Sequence, residues 1–267
     1  MTRGRRALKA VARFTDLLRG DRPGLVVLCY HRVGAGTGSE VDLAPAVFEE
    51  QLAVIAASGR LCRLEEGLDR LGGSGPADGV VVTFDDGTAD FADHAVPALV
   101  AAGLPATLYA ATHFVDTGTT FPWGTPPASW QSLRDAAGTG LVTIGSHTHS
   151  HWLLDRTDHA AVTDDLDRSI SLIAEHIGTA PQHFAYPKAV LGSPATEAAV
   201  RARFASAALA RNRPNRPGAA DLHRLWRTPV QRSDAPQHFA AKAGGGMRLE
   251  GSLRDLAARW KYRGQTQ

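Results

Sequence analysis

The sequence is poor in the residues that would announce several common protein classes. Its 267 positions include only two cysteines, two methionines and 7% aromatic residues. Two cysteines make no disulfide framework. Neither Cys29, inside an apolar run, nor Cys62, after a helical stretch, shows metal-ligand spacing, so both read as reduced and structural, which suits a cytoplasmic compartment. No apolar run approaches the ~20 residues that a membrane-spanning helix needs. Charge of one sign is scarce too: 29 Lys and Arg face 27 Asp and Glu, and the net +2 gives no global attraction to nucleic acid. The glycine-containing loop "VGAGTGSE" (33–40) lacks the third glycine of a dinucleotide-binding turn and reads as a flexible loop.

The charge that is present is uneven. Residues 1–22 hold Arg3, Arg5, Arg6, Lys9, Arg13, Arg19 and Arg22 against Asp16 and Asp21. Lys9 and Arg13 interrupt the apolar positions, so no secretory apolar core forms. The spacing of Leu8, Val11, Phe14, Leu17 and Leu18 predicts a basic amphipathic helix or arm, packed on the domain or lying on an anionic membrane surface. The expected location is therefore cytoplasmic, with membrane association as the alternative in which this segment lies on a bilayer rather than on the domain.

From residue 25 onward, short apolar runs alternate with amphipathic stretches. The runs are "LVVLCY" (25–30), "VVVTF" (80–84), "ATLYAA" (106–111), "LVTIG" (141–145), "HFAY" (183–186), "FASAAL" (204–209) and "LWRTPV" (225–230). Val162, Leu166, Ile170, Ile173 and Ile177 predict a helix over 158–178, stopped by Gly178 and Pro181. A second helix is expected over 45–58. This alternation predicts an α/β fold, a distorted (β/α)7 barrel of parallel strands with outer helices; a doubly wound open sheet is the other architecture it allows. The expected division is a basic N-terminal helix or arm (1–22), the barrel (23–240) and a helical tail packed on it (241–267).

Ionisable residues follow the strand runs. Asp85 and Asp86 end "VVVTF"; His147, His149 and His151 follow "LVTIG"; Pro187 and Lys188 follow "HFAY"; His31 and Arg32 follow "LVVLCY". Parallel barrels build their active sites at that end. On a helical turn, the four-residue spacing of His147 and His151 would put both imidazoles on one side, and with a carboxylate they make a three-ligand site for zinc or iron. A cation would also explain two adjacent carboxylates, which otherwise disfavour each other's ionisation. His149 is expected to point elsewhere.

"TFDDG" (83–87), "SHTHSH" (146–151) and "FAYP" (184–187) together resemble the successive motifs of the polysaccharide deacetylases, the NodB-homology domain of carbohydrate esterase family four. "LCYHRV" (28–33), "FEEQL" (48–52), "PATLYAA" (105–111) and "HRLWRTPV" (223–230) sit where that family has similar segments, so the resemblance covers about residues 25–240. It implies a seven-stranded barrel that removes acetyl groups from N-acetylated sugars with a divalent metal, commonly zinc. Asp85 is then the catalytic base, Asp86, His147 and His151 the metal ligands, and Tyr186 the donor of a backbone N–H to the oxyanion. His223, beside Asp221, is the candidate general acid, with His31 the other. The chain departs from the family where Ala189 replaces a glycine and where the arginine that tunes the catalytic aspartate is missing from "FAYPK"; Arg227 or Lys188 is expected to substitute. Trp123, Pro187, Lys188 and Arg227 are expected to contact substrate. The expected function is a metal-dependent N-deacetylase of an N-acetylhexosamine in a glycan, a lipid-linked sugar or a biosynthetic intermediate. Hydrolysis of another amide or ester, and a non-catalytic carbohydrate-binding barrel, are the alternatives.

Overall fold

The computed structural model describes residues 9, 24–73 and 77–253. Strand β1 (Leu25–Tyr30) is followed by β2 (Arg32–Val33) and β3 (Asp42–Leu43), which pair with each other apart from the main sheet. Six further strands follow: β4 (Gly79–Phe84), β5 (Ala106–Ala110), β6 (Val142–Ser146), β7 (His183–Ala185), β8 (Ser206–Ala210) and β9 (Leu225–Pro229). With β1 they close a barrel in chain order, every neighbouring pair parallel. Closure comes from β9 pairing with β1, Val27 opposite Arg227, which rules out the open sheet. The helices are α1 (Pro45–Ala57), α2 (Leu64–Gly72), α3 (Val96–Ala102), α4 (Thr112–Thr117), α5 (Trp130–Gly138), α6 (His159–Ile177), α7 (Pro194–Arg203) and α8 (Pro236–Ala243). Among the described residues no helix is long and apolar enough to cross a membrane.

The period of two along each strand sorts side chains into two layers. Val26, Leu28 and Tyr30 of β1 and Val80, Val82 and Phe84 of β4 face outward and pack on Phe48, Leu52 and Ile55 of α1. Leu25, Val27, Val81, Tyr109, Ala185, Ala208 and Leu225 form the second cluster, which fills the barrel. Full burial of one such large side chain stabilises by about 1.5–3 kcal/mol. The inward parity continues from Val27 to Cys29, from Val81 to Thr83 and Asp85, and from Leu225 to Arg227. The same alternation that builds the apolar plug thus delivers a polar set to one end of it.

Helix α6 follows its sequence signals. The Asp158 carboxylate accepts from the Ala160 and Ala161 amides, and Gly178 ends the helix with φ 88°. Its buried stripe includes Val162, Leu166 and Ile173, and also Asp165 and Ser169, two polar residues the apolar spacing does not anticipate.

The expected N-terminal helix over 1–22 lies outside the described residues except for Lys9. That side chain is buried and pairs with Asp234, which also accepts from Lys242 Nζ at 2.7 Å. Glu250, in a helical stretch over 248–253, lies 3.5 Å from Lys9 Nζ and 3.6 Å from Lys242 Nζ.

Inside the barrel Gly145 makes room for Tyr109: a Cβ there would lie 2.8 Å from both the Tyr109 ring and the His183 carbonyl oxygen. Gly145→Ala is expected to destabilise by about 1–3 kcal/mol through overpacking. A thermal melt should show the midpoint falling by roughly 2–4 °C per kcal/mol; an unchanged midpoint would mean the barrel interior yields without strain.

Candidate active site

At the C-terminal end of β4 the two aspartates meet opposite surroundings. Asp85 accepts a fork from Arg227, with Nη1–Oδ1 at 2.5 Å and Nη2–Oδ2 at 2.8 Å, inside the barrel where Arg227 is 1% exposed. Arg227 is braced by the Leu209 carbonyl at 3.2 Å and lies over the Tyr109 ring at 5.1 Å. Burial works to raise the Asp85 pKa, but the Arg227 charge and hydrogen bonds outweigh it and hold the carboxyl well below the usual range. Arg227 is therefore the partner of Asp85. The expectation that it contacts substrate is corrected, because a guanidinium committed to a buried carboxylate has no exposed face.

Asp86 turns the other way. Its backbone takes φ 76°, its carbonyl accepts the Ala111 amide at 2.9 Å, and its buried side chain accepts no hydrogen bond from a described residue. Burial and the neighbouring Asp85 charge push it up to about 7. Asp86 Oδ1 lies 3.7 Å from His147 Nε2 and 3.5 Å from His151 Nε2. His147 Nδ1 sits 2.8 Å from the Ala185 carbonyl, so that nitrogen carries the proton and Nε2 presents its lone pair. Burial lowers the pKa of both imidazoles and keeps them neutral.

Ligand atoms about 2.1 Å from a tetrahedral ion lie about 3.4 Å from one another. The Asp86, His147 and His151 spacings match that, and their ligand atoms all fall within 4.8 Å. A buried carboxylate without donors, facing two unprotonated nitrogens, is a donor set that fits a divalent cation. Cys29, His31 and Asp85 also converge. There the Arg227 guanidinium already sits on the carboxylate, so positive charge is supplied by the chain itself.

The spacing of the two histidines is not helical. Strand β6 ends at Ser146, and the next five residues form a turn in which Thr148 (φ 68°) and His151 (φ 57°) are left-handed. Asp165 of α6 holds it, accepting the His149 amide at 2.8 Å and the Ser150 amide at 2.9 Å, while Thr148 Oγ1 accepts the His151 amide at 2.8 Å. His149 points away and bonds Thr112 Oγ1 through Nδ1 at 3.0 Å. Nothing in the sequence marks Asp165, which looks like one more acidic helix residue.

Three other expected site residues stand differently from the sequence reading. The Tyr186 amide donates to the Ala208 carbonyl at 3.0 Å, continuing the β7–β8 ladder, so it does not face an oxyanion; the ring packs against Phe184. His223 precedes β9 at the opposite end of the barrel, where its Nε2 bonds the Phe204 carbonyl at 2.7 Å, so it is no general acid for this mouth. His31, by contrast, is part-exposed and places Nε2 3.9 Å from Asp85 Oδ2. Burial lowers its pKa to about 4. Trp123 lies beside His151, ring centroids 5.9 Å apart, but Phe121 stacks on it at 4.9 Å and the Arg32 guanidinium lies 5.3 Å from its centroid. It is a wall of the site rather than a free sugar platform. Trp152, directly after His151, is 38% exposed. After β7, Pro187 is buried, whereas Lys188 is exposed at the mouth and its charge is felt at His151. Lys188 (φ 54°) and Ala189 (φ 55°) are both left-handed. At Ala189, the position of the expected glycine, the methyl group makes that conformation strained.

Replacing that methyl by hydrogen relieves the strain: Ala189→Gly is expected to be neutral or stabilising by up to about 1 kcal/mol, checked by denaturant unfolding.

The polysaccharide deacetylase profile matches residues 72–206, half of the chain. No curated protein matches it. Among solved structures, IcaB from Ammonifex degensii superposes with TM-score 0.70 at 28% identity, covering 84% of this chain and 98% of that one. The Streptococcus pyogenes deacetylase PplD in complex with acetate shares the fold at TM-score 0.73 and 19% identity, over 83% and 99% of the two chains. The de-N-acetylase from Aggregatibacter actinomycetemcomitans does so at 0.67 and 18%, over 82% and 99%. With its closed seven-stranded barrel and a matching profile over half its length, the chain belongs to the polysaccharide deacetylase family.

Proposed function

We propose that the protein is a divalent-metal-dependent N-deacetylase that hydrolyses the acetamide of an N-acetylhexosamine, in a glycan, a lipid-linked sugar or a biosynthetic intermediate. The observation that carries this reading is the opposite treatment of adjacent carboxylates: Asp85 is forked by Arg227, and Asp86 faces two imidazole nitrogens. Asp86, His147 and His151 would hold the cation, and one oxygen with two nitrogens suits zinc. A bound divalent cation supplies Lewis acidity toward a carbonyl oxygen and lowers the pKa of water toward ~7.

The remaining steps belong to the chain. Asp85, kept ionised through the neutral range by Arg227, accepts a proton from the water whose oxygen bonds to the acetyl carbon. The C–N bond then breaks, giving acetate and an amine that must gain a proton. His31 is neutral and 3.9 Å from Asp85, so it takes the proton from the weakly basic carboxylate and passes it to the departing nitrogen. Trp152 offers a sugar the exposed aromatic face that Trp123 does not.

Three outcomes test this scheme. Asp86→Ala and His147→Ala should lose stoichiometric zinc by elemental analysis and lose acetate release. Asp85→Asn should keep the zinc and lose about 10²–10⁴ in kcat on chitooligosaccharides; full turnover in that variant would end the mechanism. Arg227→Met should move the acidic limb of the kcat/KM profile to higher pH. Removing the guanidinium takes away the strongest influence that lowers the Asp85 pKa, so burial raises it and protonation sets in earlier as pH falls. A limb that stayed in place would mean Asp85 is not the titrating base.

A further inference from the structure

Arg32, which begins β2 at the barrel mouth, has no role in the chemistry above. Its side chain is 5% exposed. Nη2 donates to Ser39 Oγ at 3.3 Å, Nε is buried without a hydrogen-bond partner, and no carboxylate of a described residue pairs with it. Arginine is almost never buried so deeply without an anion. The surroundings place this guanidinium beside the reaction centre. It lies 5.3 Å from the centroid of Trp123, whose ring is 5.9 Å from that of His151. The Arg32 charge also acts on Asp86 and on His31.

Offsetting the charge of Asp86 does not account for it. Asp86 faces the two histidines rather than Arg32, and as a ligand it would be neutralised by the cation itself. The carboxylates near Arg32 are engaged elsewhere: Asp85 by Arg227, Asp90 by the Val33 amide at 2.7 Å, and Asp42, its register partner on β3, by the Ala35 and Thr37 amides at 3.2 and 2.6 Å. The planar guanidinium fork matches phosphate and carboxylate oxygens in particular.

We infer that Arg32 binds an oxyanion, phosphate or carboxylate, carried by the sugar whose acetamide enters the site, so that the substrate is an anionic amino sugar rather than a neutral chitin-like chain. This rests on the deacetylase reading for the identity of the sugar, but the anion site stands or falls separately. The Trp123 ring lies against the guanidinium, and Ser39 Oγ accepts from its Nη2.

Isothermal titration of the full-length protein, zinc-loaded and after chelation, tests the inference. The probes are N-acetylglucosamine, N-acetylglucosamine 1-phosphate and N-acetylmuramic acid. At least one charged sugar should bind about tenfold or more tightly than the neutral one, with or without zinc. The tighter of the two identifies phosphate or carboxylate as the source. Arg32→Gln, neutral and of similar length, should abolish the preference, and Arg32→Lys should keep part of it. No preference in the wild type, a preference that survives in Arg32→Gln, or one that disappears on chelation would overturn the assignment; the last would put the oxyanion on the metal. Acetate release measured on the same sugars separates the two readings. A charge preference without acetate release ends the deacetylase proposal and leaves the anion site. Acetate release without a charge preference ends the anion site alone.

Discussion

The pairing of Arg227 with Asp85 inside the barrel is the contact from which the rest of the site is arranged. The two charges come from β9 and from the end of β4, which flank β1 on either side. They can meet only because the barrel closes. Two buried charges are expensive to desolvate and repay that only through close, forked geometry, which these distances provide. Once Arg227 has chosen Asp85, its neighbour Asp86 is left as a buried carboxylate without a donor. The unequal roles of two chemically identical side chains follow from that choice, not from anything local to "TFDDG".

A second constraint is backbone strain, gathered at the barrel mouth. Asp86, Thr148, His151, Lys188 and Ala189 all adopt positive φ without being glycine. Each such residue costs about 1–3 kcal/mol and persists only where neighbours over-determine it. Here the neighbours can be named: the Ala111 amide on the Asp86 carbonyl, the Asp165 carboxylate across two amides, and Thr148 Oγ1 on the His151 amide. The strands supply the rigid frame, and the strained turns aim the ligands away from the paths that regular strand geometry would give them.

Charge at the mouth follows from the same arrangement. With Asp85 already paired inside, the buried Arg32 guanidinium has no carboxylate of a described residue paired with it. The site therefore combines one buried ion pair that is matched with one buried guanidinium that is not matched among the described residues.

Much of this was legible in one dimension. The seven apolar runs each hold a barrel strand, because a period of two between parallel strands and a period near 3.6 in the covering helices leave separate traces. The placing of Asp85, Asp86, His147 and His151 after strands was legible for the same reason. What the linear order does not encode is which polar group reaches which. Arg227 stood equally well as a substrate contact until closure brought β9 beside β1. The Tyr186 amide was free in the sequence and is spent on the β8 ladder in the fold. His223 looked like an acid beside Asp221, yet the direction of β9 puts it at the far end of the barrel. By itself the sequence determined the strands, the helices and the chemical inventory of the mouth, because those depend on local period and residue type. Tertiary structure alone decided the pairings, because hydrogen bonds and ion pairs between residues more than a hundred positions apart exist only once the last strand has closed the ring.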